Sequence, residues 1–148
     1  MKGTKKMVSI PIEFDSFKEK ISSVRIADIN GHDIATTNYF NRFPTAINLY
    51  CDLELFNINP QKEYSLIIFS KYSKDQSVET LLAINVNIDI TSIVQLNNGI
   101  GKSSISFDFK WLLSQQGDYK LQFALLEGAN VCHQFSRYFS FLEDTNFD

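Results

Sequence analysis

Apolar and polar residues alternate along most of this chain. Between Ala46 and Phe56, Ile47, Leu49, Cys51, Leu53 and Leu55 fall on one side, while Asn48, Tyr50, Asp52 and Glu54 fall on the other. A period of two sends successive side chains to opposite faces of a strand. One buried and one wet face is the mark of an antiparallel sheet. The same pattern recurs at Ser22–Ile29 (Val24 and Ile26) and Val78–Ile90 (Ile84, Val86, Ile88 and Ile90), Tyr64–Tyr72 reads as a strand rich in Ile, Leu and Phe, and Val131–Leu142 reads as the last strand. Met7–Phe14 reads as a first strand that Pro11 confines to an edge or a bulge. Asp15–Ile21 reads as one helical turn or a linker.

Turn signals separate these runs. Asn30-Gly31 predicts a tight hairpin with both positions at positive φ, followed by a short return strand from His32 to Ala35. Asn59-Pro60 marks a turn, Thr91–Lys102 a flexible loop, and Gly128-Ala129-Asn130 a last hairpin. Thr36–Pro44 is loop-like but aromatic, with Tyr39, Phe40 and Phe43. From Ser104 to Leu125 the chain reads as a strand (Ile105, Phe107, Phe109), a helical or turn corner over Lys110–Gln116, then Gly117-Asp118-Tyr119 opening a strand with Leu121, Phe123 and Leu125 inward. The sum is about seven strands and little helix. That predicts an all-β antiparallel sandwich, one domain over residues 1–148, with tails at 1–6 and 143–148.

The strand–corner–Gly-x-Tyr–strand run resembles the corner of immunoglobulin-like domains, in which a tyrosine hydroxyl ties the incoming strand to the preceding turn. Tyr119 occupies the tyrosine position. Leu121 stands where antibody-type domains carry a cysteine, and the sole tryptophan, Trp111, lies in the corner. The resemblance therefore implies an immunoglobulin-like sandwich without the disulfide. More loosely, residues 46–142 resemble small bacterial and phage domains of this architecture, through Asn59-Pro60-Gln61-Lys62-Glu63-Tyr64 and Gly117-Asp118-Tyr119. That family brings no active site to transfer.

Composition narrows the function classes. A hydrophobic fraction of 44%, with 13 Phe and 6 Tyr, is enough for a core without a metal or disulfide staple. The net charge of −3 and the lack of a basic block beyond Lys2, Lys5 and Lys6 exclude a nucleic-acid binder. No apolar run reaches the roughly 20 residues of a membrane span. Pro11 and Glu13 interrupt the only stretch resembling a secretory signal, so the expected compartment is the cytoplasm. Cys51 is expected to face the core as a small hydrophobe, the alternative being a Cys51–Cys132 disulfide.

Catalytic signals are weak. His32-Asp33 and Cys132-His133 are adjacent pairs, and strand alternation sends such neighbours apart. His32, His133, Cys51 and Cys132 match no zinc-ligand spacing. Gly101-Lys102-Ser103 lacks the first glycine of a phosphate loop, since Leu96 occupies that position. No spacing selects a pair from Asp28, Asp33, Asp52, Glu54, Asp75, Glu79, Asp89 and Asp108. The expectation is a non-enzymatic domain with neither cofactor nor metal. It would bind a protein partner or a second copy of itself through Tyr39, Phe40, Phe43 and Tyr50. Phe56 and Tyr72 are further candidates for wet strand faces. The alternative is a small-ligand or carbohydrate-binding module using the same exposed aromatics.

Overall fold

The computed structural model describes residues 17–88, 94–97 and 100–145. Nine strands occur among them: β1 (Lys20–Ala27), β2 (Thr37–Phe40), β3 (Thr45–Ile58), β4 (Tyr64–Tyr72), β5 (Val78–Val86), β6 (Val94–Asn97), β7 (Ile100–Leu113), β8 (Gly117–Glu127) and β9 (Asn130–Glu143). They form a four-stranded sheet in the order β1-β3-β7-β6 and a five-stranded sheet in the order β2-β9-β8-β4-β5. Every neighbouring pair is antiparallel except β2 with β9, which is parallel. The result is the expected all-β sandwich. No helix among the described residues is long and apolar enough to cross a membrane.

Alternation drives the two layers together. β3 contributes Leu49, Cys51, Leu53 and Leu55 to the core, and β7 contributes Phe109, Trp111 and Leu113. Facing them are Leu66, Ile68 and Tyr72 of β4, Tyr119, Leu121, Phe123 and Leu125 of β8, and Phe139 and Phe141 of β9. Trp111 is fully buried. Its ring meets Tyr119, Phe139 and Phe141 edge-on at 5.9, 5.8 and 5.1 Å between centroids, a favoured arrangement for aromatic quadrupoles. Its indole N–H donates to Ser70 Oγ across the sheets at 2.8 Å, which satisfies both buried polar groups.

The corner works as the Gly-x-Tyr pattern implies. Tyr119 donates its hydroxyl to the carbonyl of Gln115 at 2.6 Å. A second tyrosine does the same beside it: Tyr72 donates to the carbonyl of Gln116 at 2.6 Å, and the two rings lie 4.8 Å apart. Gly117, at φ +146°, makes room for that pair. A Cβ there would sit 2.8 Å from Tyr72 Cε1, so only glycine satisfies both the backbone angle and the contact.

Several expectations change. The corner holds no helix: β7 runs on to Leu113 and only Ser114–Gln116 turn. Thr36–Pro44 contains β2, and Thr91–Lys102 contains β6 and the start of β7. Short strands without alternation leave no periodic trace. Tyr72 is buried, not wet, because β4 places Tyr64, Leu66, Ile68, Ser70 and Tyr72 on its inner face. The Asn30-Gly31 hairpin has positive φ at Gly31 only. Asp28 and His32 close it with three residues between them, through Asp28 N–H to the His32 carbonyl at 2.8 Å. The return strand reduces to one bridge between Ala27 and Asp33. Cys51 and Cys132 are both free thiols. The strand expected at Met7–Phe14 lies outside the described residues.

Candidate functional site

The outer face of the four-stranded sheet carries the most developed site. Register builds it. Tyr50 of β3 pairs with Asp108 of β7 on one side and Ala27 of β1 on the other. One step along the same face Asn48 pairs with Lys110, and one step back Asp52 lies between Arg25 and Ser106. The hairpin that follows β1 rises beside this face. Together they frame an open groove of ≈ 580 Å³ lined by Asp28, Ile29, Asn48, Tyr50, Asp108 and Lys110, among others. That volume lies in the range of small-ligand sites. A second groove of ≈ 490 Å³ shares Asp28, Ile29 and Asn48 with it and extends to Asp33, Asn38 and Phe40.

The frame is held by charge-assisted hydrogen bonds. Arg25 donates through Nε to Asp33 at 2.8 Å and through Nη2 to the Gly31 carbonyl at 2.8 Å, and its Nη1 lies 3.5 Å from Asp52. One guanidinium thus ties hairpin to sheet, using the fork of donors that Arg alone presents. The Asp28 carboxylate accepts from the backbone N–H groups of Asn30 at 2.9 Å and His32 at 3.0 Å, closing the loop from within. Asp52 is the hub on the sheet. A hydrogen bond from Ser106 holds its carboxyl below the usual carboxylate range, helped by the hydroxyl of Tyr50 and by Arg25. Tyr50 stands beside Asp52 on the same face of the strand, 37% exposed. By contrast, the side chains of Asn48, Asp108 and Lys110 make no hydrogen bond or ion pair with another described residue.

The four aromatics singled out in the sequence do not converge on one patch. Tyr39, on β2, is 63% exposed. Phe40 and Phe43 meet edge to face at 5.9 Å, and Phe40 lies 5.9 Å from Phe141, so both rings partly cover the core at that end. Phe40 also lines the second groove, and Tyr50 stands in the first. Phe56 is half-buried with Lys102 Nζ 5.0 Å from its ring centre. The flanking polar set of Asn48, Asp108 and Lys110 was missed. Its signal is the register of β3 on β7, which no single segment displays.

The histidines and cysteines are scattered. His32 Nδ1 lies 3.8 Å from Asp28 Oδ2 on the exposed hairpin, while Asp33 is engaged by Arg25. His133 Nδ1 accepts the backbone N–H of Ile21 at 3.0 Å, which ties β1 to β9. Burial pushes the Cys51 thiol up to about 12. The ligand atoms of Glu19, Glu127 and Cys132 do come within 4.8 Å of one another. Lys62 Nζ serves that cluster, 3.5 Å from Glu19 and 3.3 Å from Glu127. Burial, then the neighbouring Glu19, raises Cys132 to about 11. None of these groups forms a nucleophile–base pair in the large groove.

No protein-family model and no curated protein sequence matches this chain. Solved structures match in fold. A bacterial adhesin from Mobiluncus mulieris, with intramolecular disulfide, isopeptide and ester cross-links, is similar over 84% of this chain at 10% identity and a TM-score of 0.51. Bacteroides uniformis β-glucuronidase 2 is similar over 84% at 13% identity and 0.54. A glycosyl hydrolase family 2 member from Bacteroides cellulosilyticus is similar over 82% at 12% identity and 0.53. The chain spans 57% of the adhesin chain and 14% and 15% of the two hydrolases. At these identities the likeness is one of fold, that of a β-sandwich module within longer proteins.

Proposed function

We propose that this chain is a non-catalytic recognition domain and that the groove around Tyr50 is its binding surface. The observation that carries the reading is the division of labour between the groove lining and the residues beside it. Arg25, Asp28, Asp52 and Ser106 are engaged in holding the frame, while Asn48, Asp108, Lys110 and the Tyr50 ring stay available. A rigid frame around unengaged polar groups is pre-organised for a ligand. The lining contains no thiol or imidazole. Asp28 is occupied by the hairpin, which leaves one free carboxylate where paired-carboxylate chemistry needs two. Free thiols at Cys51 and Cys132 suit a reducing compartment such as the cytoplasm. The fold likeness to bacterial proteins is compatible with a bacterial or phage setting.

The test is an amide NMR screen of the intact chain with a fragment set spanning amino acids, short peptides, saccharides and nucleosides. Perturbations concentrated at 28–33, 48–50 and 108–110, and lost in Tyr50→Ala, support the reading. Perturbations confined to the other sheet overturn it.

A second reading, self-association or docking of a protein partner, is favoured by exposed apolar side chains, Tyr39 of β2 and Leu112 at 54%. Light scattering on wild type and on Tyr39→Ala/Leu112→Ser checks it: a dimer that dissociates supports it, and an unchanged monomer sinks self-association.

A further inference from the structure

Resting on the reading of the groove as a binding site, we infer that its ligand is an uncharged saccharide, a pyranose ring laid on Tyr50 with its hydroxyls bonded to Asp108, Asn48 and Lys110. Four observations lead there. At Tyr50 the floor of the groove, β3, is paired on both sides, with Ala27 of β1 and Asp108 of β7. The register with β1 stops there, so Asn48 has no ladder partner on that side, and neutral hexapeptides test whether an extended peptide joins it. Over Tyr50 itself recognition runs through side chains.

The side chains on offer differ in kind from an apolar anchor pocket. Tyr50 stands partly exposed on that face, and its ring is the apolar surface it offers a ligand. A ring face suits the apolar C–H side of a sugar. Around it stand one unengaged carboxylate, one amide and one ammonium. A carboxylate only accepts, an ammonium only donates, and an amide does both. Vicinal hydroxyl groups, each donor and acceptor at once, match that set where a purely accepting or purely donating ligand would leave part of it unsatisfied.

Charge narrows the class. Asp28 and Asp108 against Lys110 make the lining net negative by one, so a sugar acid meets repulsion that a neutral sugar does not. The groove is also open along its length and continues past Asp28, Ile29 and Asn48 into the second groove. A chain of two or more rings fits that run better than a single enclosed one. With one stacking ring and three polar side chains, affinity for a monosaccharide is expected on the order of millimolar.

The experiment is amide NMR titration of the whole chain with glucose, N-acetylglucosamine, cellobiose, N,N′-diacetylchitobiose and glucuronate, beside a mixture of neutral hexapeptides. The expected result is saturable shifts at 28–33, 48–50 and 108–110 with at least one neutral sugar, a disaccharide binding more tightly than its monomer, and glucuronate binding at least about threefold more weakly. Tyr50→Ala is expected to lower affinity at least about tenfold with the rest of the spectrum unmoved. Asp108→Asn serves as a second variant, with weaker binding but a smaller preference against glucuronate. Peptides that shift these residues while every sugar leaves them still overturn the saccharide and leave the groove reading standing. Sugars that shift residues elsewhere also overturn it. If no probe moves the groove, both readings fall.

Discussion

Two tyrosines divide this molecule between them. Tyr119, at the corner, is buried, donates its hydroxyl to a main-chain carbonyl, and sits in a cluster with Tyr72, Trp111 and Phe141. Tyr50, on the outer sheet face, is partly exposed and shares that face of β3 with Asp52. The first arrangement fixes how two sheets meet, since removing the ring leaves a hole and removing the hydroxyl leaves a carbonyl without its donor. The second leaves a ring on the surface that the core does not use. A large aromatic ring outside the core is the kind of feature that recognition explains and stability does not.

Substitutions separate the two regions, and the core end gives the largest effects. Trp111→Ala is expected to cost about 3–5 kcal/mol, the range for losing a large buried aromatic, measured by urea denaturation. Gly117→Ala follows at about 2–4 kcal/mol, because it combines an unfavourable positive φ with a close approach to the Tyr72 ring. Tyr119→Phe, which keeps the ring and deletes one hydrogen bond, is expected to cost about 1–2 kcal/mol. If Tyr50→Phe costs as much as Tyr119→Phe, the contrast between the regions fails.

Alkaline pH probes the core without mutation. Cys51 ionises near 9 when unfolded and near 12 when folded, so the native state holds the proton more tightly. Its contribution to stability is complete below pH 9 and is lost as pH rises toward 12. Burial raises Tyr64 and Tyr119 as well, with the same sign. Denaturation at pH 8 and pH 10.5 should show a loss that is smaller in Cys51→Ala than in wild type. The smallest effect belongs to the groove, where Tyr50→Ala is expected within about 0.5 kcal/mol of wild-type stability, as is usual for surface positions.

Legibility in the sequence followed the same divide. β3 and β8 announced themselves by alternation, β4 by its Ile, Leu and Phe content, and Gly117-x-Tyr119 named its own hydrogen bond, because these signals are local. The burial of Tyr72 was equally local: it continues the series Tyr64, Leu66, Ile68, Ser70. The groove was not readable in that way. Tyr50 could be picked out as wet, but its neighbours Asp108 and Lys110 lie about 60 residues away in sequence. They join it only once the register of two strands is set. Arg25 was invisible for a related reason, since its three partners lie on the hairpin after β1 and on β3. β2 was hidden most deeply, being four residues long and paired in parallel with a distant strand.

That pairing also sets a schedule. Thr37 of β2 faces Ser140 of β9, 103 positions later. At the roughly 5–20 residues per second of synthesis, β2 is made about 5–20 s before its partner exists. Throughout that interval Phe40 has no Phe141 to pack on, and the five-stranded sheet lacks the strand that joins β8 to β2. A nascent chain of this design carries an unfinished aromatic flank through most of its own production. The flank is completed only when the last strand is made.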